Sequence, residues 1–472
     1  MSKKTIDETL EAEVFPAPPE ELPVGVEVAE AVVRPPPTPP TWGKAFWTAL
    51  WVNTTYFAEG LPLIITLRLG SVFFTDIGAS LTSIGYVNFL GVPWNFKFLW
   101  APLLDLFGTK RRWLVALQTI VGLVILAVAW AAYRVPMDNP HGHLTAIAVM
   151  LVVLAFVAAT NDVAIDAYYM EAIRGIREQA AYTGHKAMGY RIAIIAGVTG
   201  LLGLSAVSAD KRLDWLLAFG VGGVTMLVFA LFHALALPRP EEGHRVRPDL
   251  RATFVGFGQA FWSYLQQEKI AIVLLFILTY KIGDEILFSM NTAFLMRGLG
   301  VKKGQLSWLA GVVGAATTIV GAMIGAYWIR RQGLRKAIWP LTILMNFNIW
   351  AYVWLAWARP DPATPGGFAS IAFVHGYENL AAALGNAVLL VYLLTTCKPR
   401  FKAAHYAIGS AIMSIPSRVV GGFGGAIVTQ IGFLNFFILG FVVSLPAMLL
   451  LFVVPLKDDA APGRAHAAPA AH

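Results

Sequence analysis

The chain has 472 residues, 57% of them hydrophobic and only 14% charged, so a water-soluble fold would lack the polar residues needed to cover its own surface. The formal charge of +8 admits a polyanion partner, but the basic residues fall in small clusters between apolar runs, which is a membrane-topology pattern and excludes a nucleic-acid patch. A single cysteine, Cys397, excludes an internal disulfide or a cysteine-held metal cluster, so no metal and no redox cofactor is expected.

In chain order, residues 1–42 run from acidic (IDETLEAE) to proline-rich (VVRPPPTPP) and carry no signal-peptide pattern, which predicts a disordered N-terminal tail. Apolar segments of spanning length, about 20 residues each, then predict helices at 44–76, 81–105, 111–133, 144–170, 182–208 and 213–236, giving a first bundle over 43–236. Residues 237–266 form the longest interior connection, with an amphipathic aromatic stretch (ATFVGFGQAFWSYLQQ) suited to a membrane surface. A second bundle over 267–456 follows, with helices at 267–297, 303–329, 337–358, 366–396, 402–429 and 432–455. Residues 457–472 are a low-complexity tail of alanine, proline and histidine.

The loops expected on the inner side carry Lys110, Arg111 and Arg112; Arg174 and Arg177; Arg330, Arg331, Arg335 and Lys336; Lys398, Arg400 and Lys402. The opposite loops carry fewer, mainly Arg134, Lys211, Arg212, Lys302, Lys303 and Arg359, so both termini are expected in the cytoplasm.

An internal repeat organises these helices. FVAATND (156–162) aligns without a gap on FVHGYEN (373–379), setting Asn161 and Asp162 opposite Glu378 and Asn379 in the fourth and tenth helices. GHKAMG (184–189) matches AHYAIG (404–409), and FGTKRR (107–112) loosely matches QGLRKA (332–337) with glycines at 108 and 333. Two parallel six-helix halves imply a pseudo-two-fold axis along the membrane normal and a solute path between the halves near mid-membrane.

The segment LDLFGTKRR (104–112) resembles the loop between helices two and three of the major facilitator superfamily, with Asp105, Gly108, Arg111 and Arg112 as a candidate cytoplasmic gate. YFAEGLPL (56–63), FKFLWAPLLD (96–105), NDVAIDAY (161–168) and GYRIA (189–193) resemble the AmpG-type muropeptide permeases and the related acetyl-CoA transporters, in the same order and spacing. That resemblance covers the first half closely; past residue 237 the repeat and the hydropathy continue it. It implies an all-α integral membrane protein of the major-facilitator fold, with twelve transmembrane helices in two pseudo-symmetric bundles. It also implies proton-driven import of cell-wall sugar peptides, with siderophores or acyl-CoA-like solutes as the alternative cargo.

Ionisable side chains inside a bilayer cost several kcal/mol unless paired or wetted, which makes each a functional candidate. Glu59 lies mid-span beside Gly60 and Pro62, as a proton site or a carboxylate bonded to loosened backbone. Asp162 and Asp166 are four apart and share a face, with Arg191 as the expected partner, either for coupling and anion binding or as a static pair. Lys281, Asp284 and Glu285 make one salt bridge and leave one carboxylate over. His375 and Glu378 are a proton relay or a satisfied core pair, and Asn379, Asn386 and Tyr377 extend a wet wall. Lys97 pairs or snorkels; Arg418 is the deeper anion ligand; GGFGG (421–425) is a close-packing site.

The sequence reads as a secondary transporter, with proton sites among Glu59, Asp162, Asp166, Asp284, Glu285, His375 and Glu378. Its substrate contacts are Arg191, Arg418, Asn161, Lys281, Asn379, Asn386 and Tyr377. Its partners are a small-molecule solute, protons and the bacterial inner-membrane bilayer, with the chain as a monomer. No GxxxxGK[ST] segment is present, and no nucleophile or His-Asp pair sits at a membrane face, which argues against a pump or a membrane acyltransferase.

Overall fold

The computed structural model describes residues 42–106, 108–136, 140–173, 176–239, 250–398 and 401–456. The two tails, Arg174, Arg400 and positions 240–249 of the interior connection lie outside the described residues, as do the side chains of Asp105 and Arg177.

The first half consists of α1 (Trp42–Asp76), α2 (81–106), α3 (Lys110–Tyr133), α4 (His141–Ala172), α5 (176–204) and α6 (Lys211–Ala236). The short α7 (Leu250–Leu265) lies in the connection. The second half consists of α8 (270–298), α9 (Lys303–Gln332), α10 (Leu334–Ala358), α11 (Pro365–Thr395), α12 (402–431) and α13 (433–450). Among the described residues, nine helical runs are long and apolar enough to cross a membrane, one of them joining α12 and α13 across Gly432 at φ 76°. Separating that pair and adding the interrupted α2 and α8 gives the twelve expected spans.

The two interruptions have local causes. Helix α2, expected as one continuous 81–105 span, alternates α and 3₁₀ turns (Leu81–Tyr86, Val87–Gly91, Val92–Phe96, Lys97–Leu99) around Gly91 and Pro93. Pro93 falls in the first turn of the Val92–Phe96 segment, where its missing N–H costs no helix bond, so the helix restarts there. Helix α8, expected as an unbroken 267–297, ends a segment at Thr279 and restarts at Ile282, with Lys281 as N-cap and Asp284 and Glu285 in the new first turn. A helix N-terminus favours carboxylates there. The fifth helix starts six residues earlier than expected, because the polar run IREQAAYTGHKAMG is helical too.

Two aligned glycines share a backbone conformation. Gly108 and Gly333, aligned above, both sit at positive φ (65° and 77°) just before α3 and α10, a conformation open to glycine at no steric cost. The GGFGG stretch of α12 packs against α2: a Cβ on Gly425 would lie 1.7 Å from the Leu81 carbonyl oxygen, and one on Gly85 2.8 Å from that of Gly422. This close crossing joins the two halves, and Asn88 Nδ2 donates across it to the Gly421 carbonyl at 3.2 Å. Bulky apolar side chains such as Leu235, Phe373 and Phe452 are exposed because lipid, not water, is their solvent.

Candidate functional site

In the first half, α1, α2, α4 and α5 bring Glu59, Lys97, Asp162, Asp166 and Lys186 together. Pro62 withholds the N–H that would bond the Ala58 carbonyl, and fully buried Asn161 of α4 takes that place through Nδ2 at 3.1 Å. The next residue, Asp162, is 5% exposed and pairs with Lys97. Asp166 accepts from the Tyr56 hydroxyl at 2.6 Å and from Lys186 Nζ at 3.3 Å. Lys186 is held over the rings of Tyr56 and Tyr169, 4.5 and 4.4 Å from their centroids. Glu59 lies within electrostatic range of both aspartates, and its Oε2 is buried without a hydrogen-bond partner.

In the second half, Lys281 Nζ lies 3.1 Å from Glu285 and 3.6 Å from Asp284. Fully buried Glu378 accepts from Asn379 Nδ2 at 2.8 Å, has His375 Nδ1 at 3.9 Å, and leaves Oε1 without a partner. Asn291 donates to the Tyr352 hydroxyl at 3.0 Å, and that hydroxyl lies 3.1 Å from His375 Nδ1. The other ring nitrogen of His375, Nε2, lies 3.3 Å from Asn379 Nδ2. Across the two clusters, six carboxylates share three lysines, so three are left to protons or to other cations.

Between the clusters lies a cavity of about 570 Å³, lined from the first half by Arg68, Asn88 and Arg191 and from the second by Lys281, Glu285, His375, Asn379, Asn386 and Arg418. It continues past Tyr190 and Arg191 into a space of about 390 Å³ bordered by Tyr56, Glu59 and Lys186. Among the described residues, none of the three arginines has a carboxylate within 4 Å.

At the opposite end the halves are tied shut. Arg297, on a π-helical turn of α8, donates from Nε, Nη1 and Nη2 to the carbonyls of Phe74, Thr75 and Ala79, at 2.6 to 3.2 Å. Those are carbonyls at and just past the end of α1, where a cation is favoured. Lys303 Nζ reaches Asp76 at 3.0 Å and Asp214 at 3.3 Å, and Trp215 Nε1 donates to Asp76 at 2.9 Å. Ser307 adds a bond to the Thr199 carbonyl at 2.9 Å.

The expected site residues therefore divide. Arg191, Lys281, Asn379, Asn386, His375, Asp284, Glu285 and Arg418 line the large cavity, and Glu59 lines its extension. Asn161 is spent on the Ala58 carbonyl, and Tyr377 does not line the cavity. The expected pairing of Arg191 with Asp162 or Asp166 is not formed: each aspartate has its own lysine, Lys97 from α2 and Lys186 five residues before Arg191. In the candidate gate, Arg111 donates to the carbonyls of Ala234 and Leu237 at the C-terminus of α6, inside the first half, and Arg112 contributes its N–H to the Thr109 cap. Sequence reasoning missed Arg68, Arg297 and the bridging role of Lys303. Arg68 is the one charge between Glu59 and Asp76, so the rule that singled out Glu59 would have found it.

Comparison with known proteins fits this picture. Residues 45–377 match the Major Facilitator Superfamily. The chain is 29% identical over 402 residues to an anhydromuropeptide permease of Escherichia coli K12, covering 84% of this chain and 77% of that one. It is 24% identical over 412 residues to a putative AmpG 4 transporter of Rickettsia conorii, covering 84% and 94%. At 402 matched residues the likeness extends well past the first half, further than the motifs alone carry it. Among solved structures, the inward-open xylose transporter XylE of E. coli superposes with a TM-score of 0.62 at 13% identity, covering 87% of this chain and 96% of that one. A bacterial homologue of the lysosomal transporter Spinster superposes at 0.61 and 15% identity, covering 88% and 96%. Membrane-spanning helices packed around a polar cavity, in a chain that matches this family over residues 45–377, make it a multi-pass secondary transporter, and the chain belongs to the Major Facilitator Superfamily.

Proposed function

We propose that this protein imports anhydro-muropeptide or a related carboxylate-bearing sugar peptide across the bacterial inner membrane, coupled to protons, with both termini in the cytoplasm. The observation that carries this reading is the cavity itself: Arg191 and Arg418 face it from opposite halves without a carboxylate partner, between clusters that hold three more carboxylates than lysines. Unpaired guanidiniums suit carboxylate groups, which they bind in a planar two-point fork. Surplus carboxylates are places where a proton removes a charge that is costly to bury. Glu59 and Glu378, each with an unpartnered oxygen, are the proton carriers in this reading.

With the basic loops in the cytoplasm, the tied Asp76 end faces the periplasm and the cavity opens inward through the Lys186 side. This is the release stage of alternating access. The name of the E. coli relative supports the cargo class.

Uptake of labelled anhydro-muropeptide into proteoliposomes, with and without an inward proton gradient, tests the reading. Gradient-dependent accumulation is expected, with Arg191→Ala and Asp162→Asn abolishing it. Absence of accumulation, or competition by an iron chelate and not by muropeptide, would sink the cargo assignment.

A further inference from the structure

The third cavity arginine lies outside that reading as argued so far. Arg68 sits on a π-helical turn of α1, Ile65–Leu69, whose wider winding turns its side chain across to the other half. There its guanidinium carbon lies 4.1 Å from the ring centroid of Phe288 on α8. Arg418 does the reverse. It belongs to α12, yet its guanidinium occupies the space over Gly91 of α2, where a Cβ would fall 2.1 Å from Cζ and 2.4 Å from Nε and Nη1. Its Nε is buried with no hydrogen-bond partner.

Each of the two arginines is thus seated on the half it does not belong to, and each lies within electrostatic range of the other. Two like charges in a half-dry cavity repel, so their joint placement needs an anion or nearby negative charge. Glu285 and Glu378 lie within electrostatic range of Arg68, and neither is within 4 Å of it. Lys281 pairs with Glu285, and Asn379 donates to Oε2 of Glu378, whose Oε1 stays without a partner. The fork between the two guanidiniums is open to a ligand.

We propose that Arg68 and Arg418 form a clamp for a carboxylate of the solute, in addition to Arg191, so that the cavity selects solutes carrying two or more carboxylates. This rests on the reading of the chain as a carrier of acidic solutes. The clamp ties substrate charge to both halves at once.

The test uses citrate, succinate, acetate and inorganic phosphate as probes of the purified full-length protein at constant ionic strength, by isothermal titration and thermal shift. Citrate and succinate are expected to bind and stabilise, and acetate to do so far less. Arg68→Met and Arg418→Met should weaken citrate on the order of tenfold to a hundredfold, the effect of one lost charge-assisted contact. Arg68→Lys should recover part of it. Gly91→Ala, which displaces the Arg418 guanidinium without deleting its charge, should weaken citrate as well.

Undiminished citrate binding in both Met variants overturns the clamp, as does equal binding of acetate. Phosphate binding that depends on Arg68 without any carboxylate binding overturns the carboxylate assignment. Muropeptide uptake is followed in parallel: citrate binding through Arg68 without uptake keeps the clamp and removes the cargo, and uptake with an indifferent Arg68 does the opposite.

Discussion

Replacing Lys303 by methionine should open the tied end of the transporter. Its Nζ bridges Asp76 at 3.0 Å and Asp214 at 3.3 Å, joining α9 to the end of α1 and the start of α6, and the three side chains are only 12%, 9% and 2% exposed. Breaking a buried pair by removing one partner costs about 3–5 kcal/mol, and one hydrogen bond to a charged group is worth about 1.5–3 kcal/mol. The aspartates keep other donors: Asp76 retains Lys211 at 3.3 Å and Trp215 Nε1, and Asp214 retains the Ser208 N–H at 2.8 Å. The low end, about 3 kcal/mol, is therefore the appropriate figure. The bridge joins the halves only while this end is closed, so its loss acts on the balance between closed and open forms, by roughly a hundredfold. In a Cys397→Ser background, spin labels at Val207→Cys and Ala363→Cys, exposed positions on opposite halves, report the separation by double electron–electron resonance. A second, longer distance population is expected in Lys303→Met and its suppression in Lys303→Arg. An unchanged distance distribution would refute the latch.

Two further outcomes follow from local chemistry. Asn161→Ala should lower thermal stability by about 1–3 kcal/mol, the cost of leaving the Ala58 carbonyl unpartnered, and much less in a Pro62→Ala background, where the restored N–H reclaims it; additive losses in a thermal-melt cycle would contradict this. Burial pushes the Cys397 thiol above its ordinary range, with Lys402 opposing, so little thiolate forms at neutral pH. Its alkylation rate, read by mass spectrometry, should keep climbing through pH 9, and a plateau reached below pH 8 would count against that environment.

Much of the fold was legible because the bilayer leaves a helix little choice of length or hydropathy. Of the aligned positions, Gly108 and Gly333 meet the same backbone demand at positive φ. Pairing within a helix was legible, as Lys281 with Asp284 and Glu285 shows, but pairing between helices was not. Spacing put Asp162 and Asp166 on one face of α4, but which cation meets them depends on the path of α2, whose broken winding brings in Lys97, and on Lys186 lying over two tyrosine rings. Lys303 was equally opaque. A lysine at a helix start reads as a loop charge until the Asp76 and Asp214 termini are seen to converge on it.

The two arginines that matter most to the state of the molecule escape periodic reading for one shared reason. Arg68 and Arg297 both sit on π-helical turns, Ile65–Leu69 and Phe294–Gly298, in helices α1 and α8, which the repeat makes equivalent. A π turn inserts one residue into the winding, so every side chain after it leaves the face that a 3.6-residue period assigns. In α1 the result is a guanidinium turned into the cavity against Phe288; in α8 it is a guanidinium turned onto the carbonyls that close the far end. The same pair of helices thus carries an arginine lining the cavity and one bonded to the carbonyls at the end of α1. If Arg68 and Arg418 clamp an anion as proposed above, the pull on Arg68 falls on α1, the helix whose C-terminal carbonyls Arg297 holds.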